Sequence, residues 1–172
     1  MDILLQQIIN GLVLGSMYAL VALGYTMVYG IINLINFAHG EVLMVGALTS
    51  WSVIGLMQDA TPWAPGWLVL LLSMLIACVV AATLNFVIEK VAYRPLRRAP
   101  RLAPLISAIG MSIILQHFAL LIWSRNPLAF PQIVKTESFA LAGATITNIQ
   151  ISILAISIAM MGGLAWLVYR TR

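Results

Sequence analysis

Long apolar runs alternate with short polar breaks along the 172 residues of this chain. Five runs, near 3–28, 38–57, 66–90, 102–123 and 149–169, reach the roughly 20 residues that a helix needs to cross a bilayer. The breaks carry turn signals. Residues 58–66 form a short polar stretch with Pro62 and Pro65, and 94–101 form a basic stretch with Pro95 and Pro100. The 124–148 connection is longer and holds Pro127 and Pro131. Inside it, 138–147 places Gly143 between two β-favouring halves, which predicts a small hairpin on the membrane surface. The pattern as a whole predicts an all-α fold, a polytopic transmembrane helix bundle of about five spans making one domain over 1–172.

Composition narrows the class further. Hydrophobic residues make up 62% of the chain and charged residues 8%, against about 25% charged in an ordinary soluble domain. So few charges do not cover a soluble surface. The net charge of +4 does not point to nucleic acid, because the basic residues gather in loops, where membrane topology accounts for them. If the spans alternate, Lys90, Arg94, Arg97, Arg98, Arg101, Arg170 and Arg172 share one side, and only Arg125 and Lys135 fall on the other. The positive-inside rule then makes the 94–101 loop and the C-terminal end cytoplasmic, and Met1 and the 58–65 loop external. Trp63, Trp67 and Trp123 are expected at the outer interface, and Tyr93, Trp166 and Tyr169 at the inner one. No Lys or Arg precedes the first run, so a cleaved signal peptide is not expected. The single cysteine, Cys78, allows no internal disulfide.

The break between the first two spans concentrates unusual chemistry. Asn33, Asn36, His39 and Glu41 lie within nine residues, bracketed by Gly30 and Gly40, in a region otherwise almost wholly apolar. Polar groups are costly in a bilayer, and unwound backbone is tolerated there only where it lines a cavity or is covered by protein. Gly30 and Gly40 are expected to let the backbone break. The segment then reads either as the lining of a solute path or as a wet cytoplasmic turn. The glycine brackets and the absence of Lys, Arg and Pro favour the path.

Gln116 and His117, in the outer half of the fourth span, are further path candidates, although an interhelical hydrogen bond suits them better. Asn85 and Glu89 suit contact with a neighbouring helix or an anchor near the inner interface, to which Lys90 snorkels. Gly11, Gly15 and Ala19 repeat every four residues, as do Ala155, Ala159 and Gly163, making flat faces for close helix approach. No enzyme signature emerges. Ser16, His39 and His117 lack a nucleophile elbow, two histidines without ligand partners do not make a metal site, and no phosphate-binding loop is present. No cofactor is expected, and any ATP used must be bound by another polypeptide.

Residues 11–41, ending in Asn36-Phe37-Ala38-His39-Gly40-Glu41, closely resemble the N-terminal region of the LivH-type permeases of branched-chain amino-acid ABC transporters. Residues 88–97 and 105–116 resemble that family too, and 124–148 is the least similar part. The resemblance implies a transmembrane permease domain in a bacterial inner membrane, forming part of the translocation path. It implies a second permease subunit, two cytoplasmic ATPase subunits and a periplasmic solute-binding protein as partners. It also implies a chain a little under twice this length, with a cytoplasmic coupling segment after Tyr169, so the sequence is expected to be a fragment, a truncated product or one part of a split protein. Two other outcomes are a related permease for urea or short amides, and a non-transporting remnant.

Overall fold

A computed structural model of the chain describes residues 2–32, 35–96, 99–100, 102–141 and 144–170. Asn33, Arg97, Arg98, Arg101, Gly143 and Arg172 lie outside the described residues. Five helices in the described part are long and apolar enough to cross a membrane. They are α1 (Asp2–Ile32), α2 (His39–Ala60), α3 (Gly66–Ile88), α4 (Leu102–Trp123) and α5 (Asn148–Arg170). A π-helical turn, Glu89–Tyr93, and a 3-10 turn, Arg94–Leu96, prolong α3. The predicted hairpin is present as β1 (Ser138–Leu141) paired antiparallel with β2 (Ala144–Thr147), Ser138 opposite Thr147.

The predicted spans match these helices to within a few residues at each end, with one correction at the first break. Gly30 lies inside α1, and Gly40 is the second residue of α2. Neither takes a positive φ, so neither opens the backbone. A helical glycine costs only about 1 kcal/mol relative to alanine, and that is too little to unwind a helix in a medium that offers its amides no other partner. The described non-helical residues are instead Ile35–Ala38.

The chain divides into two compact units, residues 1–31 with 135–172, and residues 32–134. In the first, Gln6 clamps the hairpin. Its Oε1 accepts the Thr145 amide at 2.8 Å, and its Nε2 donates to the Thr145 carbonyl at 3.1 Å. Thr147 and Gln150 cap the entry to α5 reciprocally. Each backbone amide donates to the other's side-chain oxygen, at 3.0 and 3.3 Å, which is a capping box.

The second unit is built on α2 and α3. Thr61 ends α2 by returning both its amide and its hydroxyl to the Met57 carbonyl, and Pro65 starts α3. The seam between the two helices is made of small residues. A Cβ on Gly46 would lie 3.8 Å from that of Ala81, and the Ser50 hydroxyl donates to Ser73 at 3.2 Å. Close approach of this kind holds helices together where lipid supplies no hydrophobic drive between them. The core below the seam gathers Ala38, Val42, Ile88, Ala92, Tyr93, Ala108 and Leu115. Large apolar side chains such as Leu71, Val79, Leu121 and Phe118 face outward, while Asn36 and Ser73 are buried. That distribution reverses the one expected in water and suits a lipid surround.

Candidate functional site

The polar residues of the first break and those of α4 meet in the second unit. Asn36 is 5% exposed and organises the approach to α2. Its Oδ1 accepts the Ala38 amide at 3.1 Å, and its carbonyl accepts the His39 amide at 3.2 Å. This is an Asx turn, in which the side chain holds a chain reversal that Ala38, at the helix N-cap, has no side-chain acceptor to supply. The same Oδ1 accepts the Tyr93 hydroxyl at 2.6 Å. The π-helical turn carries Tyr93 into the core, where it is 4% exposed, and so corrects its expected place in the inner aromatic belt.

Glu41 follows in the first turn of α2. Its Oε1 accepts the Ser112 hydroxyl at 2.7 Å and the Gln116 amide at 2.6 Å. Ser112 and Gln116 are one helical turn apart on α4, so both reach the same oxygen. The positive end of the α2 dipole also favours an anion at this position. Neutral donors and a helix terminus together lower the cost of a carboxylate at membrane depth.

The hydrogen bonds also fix the register of α2 against α4. Glu41 bonds Ser112, and the Trp123 indole donates to Ser52 at 2.6 Å; both pairs are 71 residues apart. Helices α2 and α4 therefore run parallel with that register. Ser112 is the eleventh of the 22 residues of α4, so Glu41 lies level with the middle of that helix. At 1.5 Å per residue it sits about 15 Å beyond the α4 start. The start of α2 is thus displaced along α4, while the elbow before it stays level with the end of α3 through the Asn36–Tyr93 bond.

Of the sequence-predicted residues, the structure brings Glu41 and Gln116 together and sets Asn36 and His39 in the adjoining elbow. Gln116 makes the expected interhelical bond. His117 does not join the cluster: its Nδ1 lies 2.9 Å from the Ile113 carbonyl of its own helix, and the ring is exposed. Adjacent residues on a helix point about 100° apart, so Gln116 and His117 cannot both face Glu41. Sequence reasoning missed two members, Ser112 and Tyr93. Ser112 had a legible signal, since it stands four residues before Gln116 and so on the same face of the helix. Tyr93 had none, because its direction depends on the π turn. At the opposite end of α2 from Glu41, a cleft of about 340 Å³ is lined by Gln58, Thr61, Gln132 and Ile133, apart from this cluster.

A five-span pattern and an apolar exterior describe a membrane protein, and Glu41, Ser112 and Gln116 form a polar cluster inside its second unit. Comparison with known proteins places it. The family described as "Branched-chain amino acid transport system / permease component" matches residues 7–172. The chain is 42% identical to the high-affinity branched-chain amino acid transport system permease protein BraD of Pseudomonas aeruginosa, over 98% of this chain and 56% of that protein. It is 46% identical to the LivH permease protein of Escherichia coli K12, over 85% of this chain and 48% of that protein, and 45% identical to its Salmonella typhimurium counterpart over the same shares. The chain thus spans about half the length of the curated relatives it matches. No solved structure matches it. The resemblance expected from residues 11–41 is therefore confirmed over almost the whole chain, which belongs to the branched-chain amino acid transport permease family.

Proposed function

We propose that this chain is a permease subunit of an ABC importer for branched-chain amino acids and forms part of the translocation path in a bacterial inner membrane. The family match over 7–172 carries the reading. The polar cluster around Glu41 supports it, because a carboxylate level with the middle of α4 serves a path better than a wet surface turn. Asn36, His39, Glu41 and Gln116 are the path residues this reading retains, and Asn33, which it also includes, lies outside the described residues. His117, on another face of α4, is dropped from the set.

The proposed partners are a second permease subunit, two cytoplasmic ATPase subunits and a periplasmic solute-binding protein. The chain itself is a transport subunit and not an enzyme, and ATP bound elsewhere biases the path between two states. The test is uptake of labelled leucine, isoleucine and valine by the assembled importer in proteoliposomes. ATP-dependent accumulation of all three is expected. Accumulation of urea or a short amide with none of the three would overturn the assignment of solute.

A further inference from the structure

We infer that Glu41 is the acceptor for the α-ammonium group of the transported amino acid, an inference that rests on the function just proposed. Four observations converge on it. The carboxylate lies level with the middle of α4, where an anion is costly unless something compensates it. Its hydrogen-bond partners, Ser112 and Gln116, are both neutral, so they orient the group without cancelling its charge. Both side-chain bonds end on Oε1, and no basic side chain among the described residues pairs with the carboxylate. Glu41 is only half-buried, beside an exposed Gln116, so the cluster is not sealed within the helices described.

A primary ammonium complements this carboxylate in charge. It carries one positive charge and three N–H donors, and a charge-assisted bond to a carboxylate is about twice as strong as a neutral one. Each transported molecule would complete an ion pair with Glu41. The pairing also selects: a neutral solute of the same shape gains nothing from the charge, so the site favours amino acids over amides or alcohols.

Two variants separate charge from shape. Glu41→Gln keeps an oxygen for Ser112 and Gln116 but removes the charge. Glu41→Asp keeps the charge on a shorter arm. Leucine uptake is measured in proteoliposomes with the assembled importer and saturating leucine-loaded binding protein, with rates normalised to assembled complex. Pairing predicts that Glu41→Gln lowers the maximal rate at least tenfold, while Glu41→Asp retains more than a third of it. The concentration of loaded binding protein giving half the maximal rate stays as in wild type, because capture precedes the path. A purely structural role predicts the opposite order, with the isosteric Glu41→Gln active and the shortened Glu41→Asp impaired. That order, equal losses in the two variants, or a wild-type rate in Glu41→Gln would each overturn the inference. Abolition of wild-type uptake on replacing sodium with choline would overturn it too, by assigning the carboxylate to a metal cation. A wild-type importer that accumulates none of the three branched-chain amino acids overturns the functional reading itself, and is distinguishable from all of these.

Discussion

The Asn36 Oδ1 accepts from two donors, the Ala38 amide ahead of α2 and the Tyr93 hydroxyl at the end of α3. Losing one donor differs from losing the acceptor. Tyr93→Phe removes a single neutral bond and leaves Oδ1 satisfied by Ala38, so it should cost about 1 kcal/mol. Asn36→Leu removes the turn and takes the acceptor from a buried hydroxyl and a backbone amide at once, so it should cost about 2–4 kcal/mol. Thermal unfolding in detergent should therefore rank wild type above Tyr93→Phe and both above Asn36→Leu. Equal midpoints for the two variants would show that the shared acceptor does not hold the elbow. It follows that a transport defect in Asn36→Leu reports folding as well as path lining, and Glu41 is the cleaner probe.

Helices α2 and α3 meet on residues chosen for smallness. The 3.8 Å between a Cβ on Gly46 and that of Ala81 is ordinary contact, so Gly46→Ala should fold as wild type. Gly46→Leu forces several extra carbons into a packed seam and should destabilise by about 1–3 kcal/mol. Gly66 is more demanding. A Cβ there would lie 2.6 Å from the Ile133 carbonyl oxygen and 2.7 Å from its Cγ2. The Ile133 backbone must move for alanine to fit, although Trp51 anchors the same connection through a 2.9 Å bond from its indole to Ala129. Gly66→Ala should therefore speed proteolytic cleavage within 124–134 relative to wild type. An unchanged cleavage rate would mean that this segment adjusts freely.

At the scale of the molecule, the proposed orientation places Met1 and the 58–65 loop outside and the 94–101 loop inside. With Cys78 replaced by alanine, a cysteine at Asp59 should react with an impermeant reagent in intact cells, and one at Ala99 should react only after permeabilisation. External labelling at Ala99 would invert the arrangement. The register of α2 against α4 adds a constraint that loop charges do not contain. With the two helices locked by Glu41–Ser112 and Ser52–Trp123, α2 is shifted by about eight residues, roughly 12 Å, relative to α4. A bilayer core of about 30 Å cannot be centred on both helices at once.

The amino-acid sequence by itself determined the class, the five helices, the hairpin and the family. These follow from local quantities: run length against bilayer thickness, proline and charge at the breaks, and the order of residues in 11–41. It also picked out Asn36, Glu41 and Gln116, because a polar side chain is conspicuous in an apolar chain. Only the tertiary structure decided which of them meet. Whether Gln116 or His117 faces Glu41 depends on the rotation of α4, and whether Tyr93 turns inward depends on one π turn at Glu89–Tyr93. In a chain apolar on nearly every face, hydrophobic periodicity does not set helix rotation. The few hydrogen bonds between helices set it instead, and their pairing is a property of the packed structure.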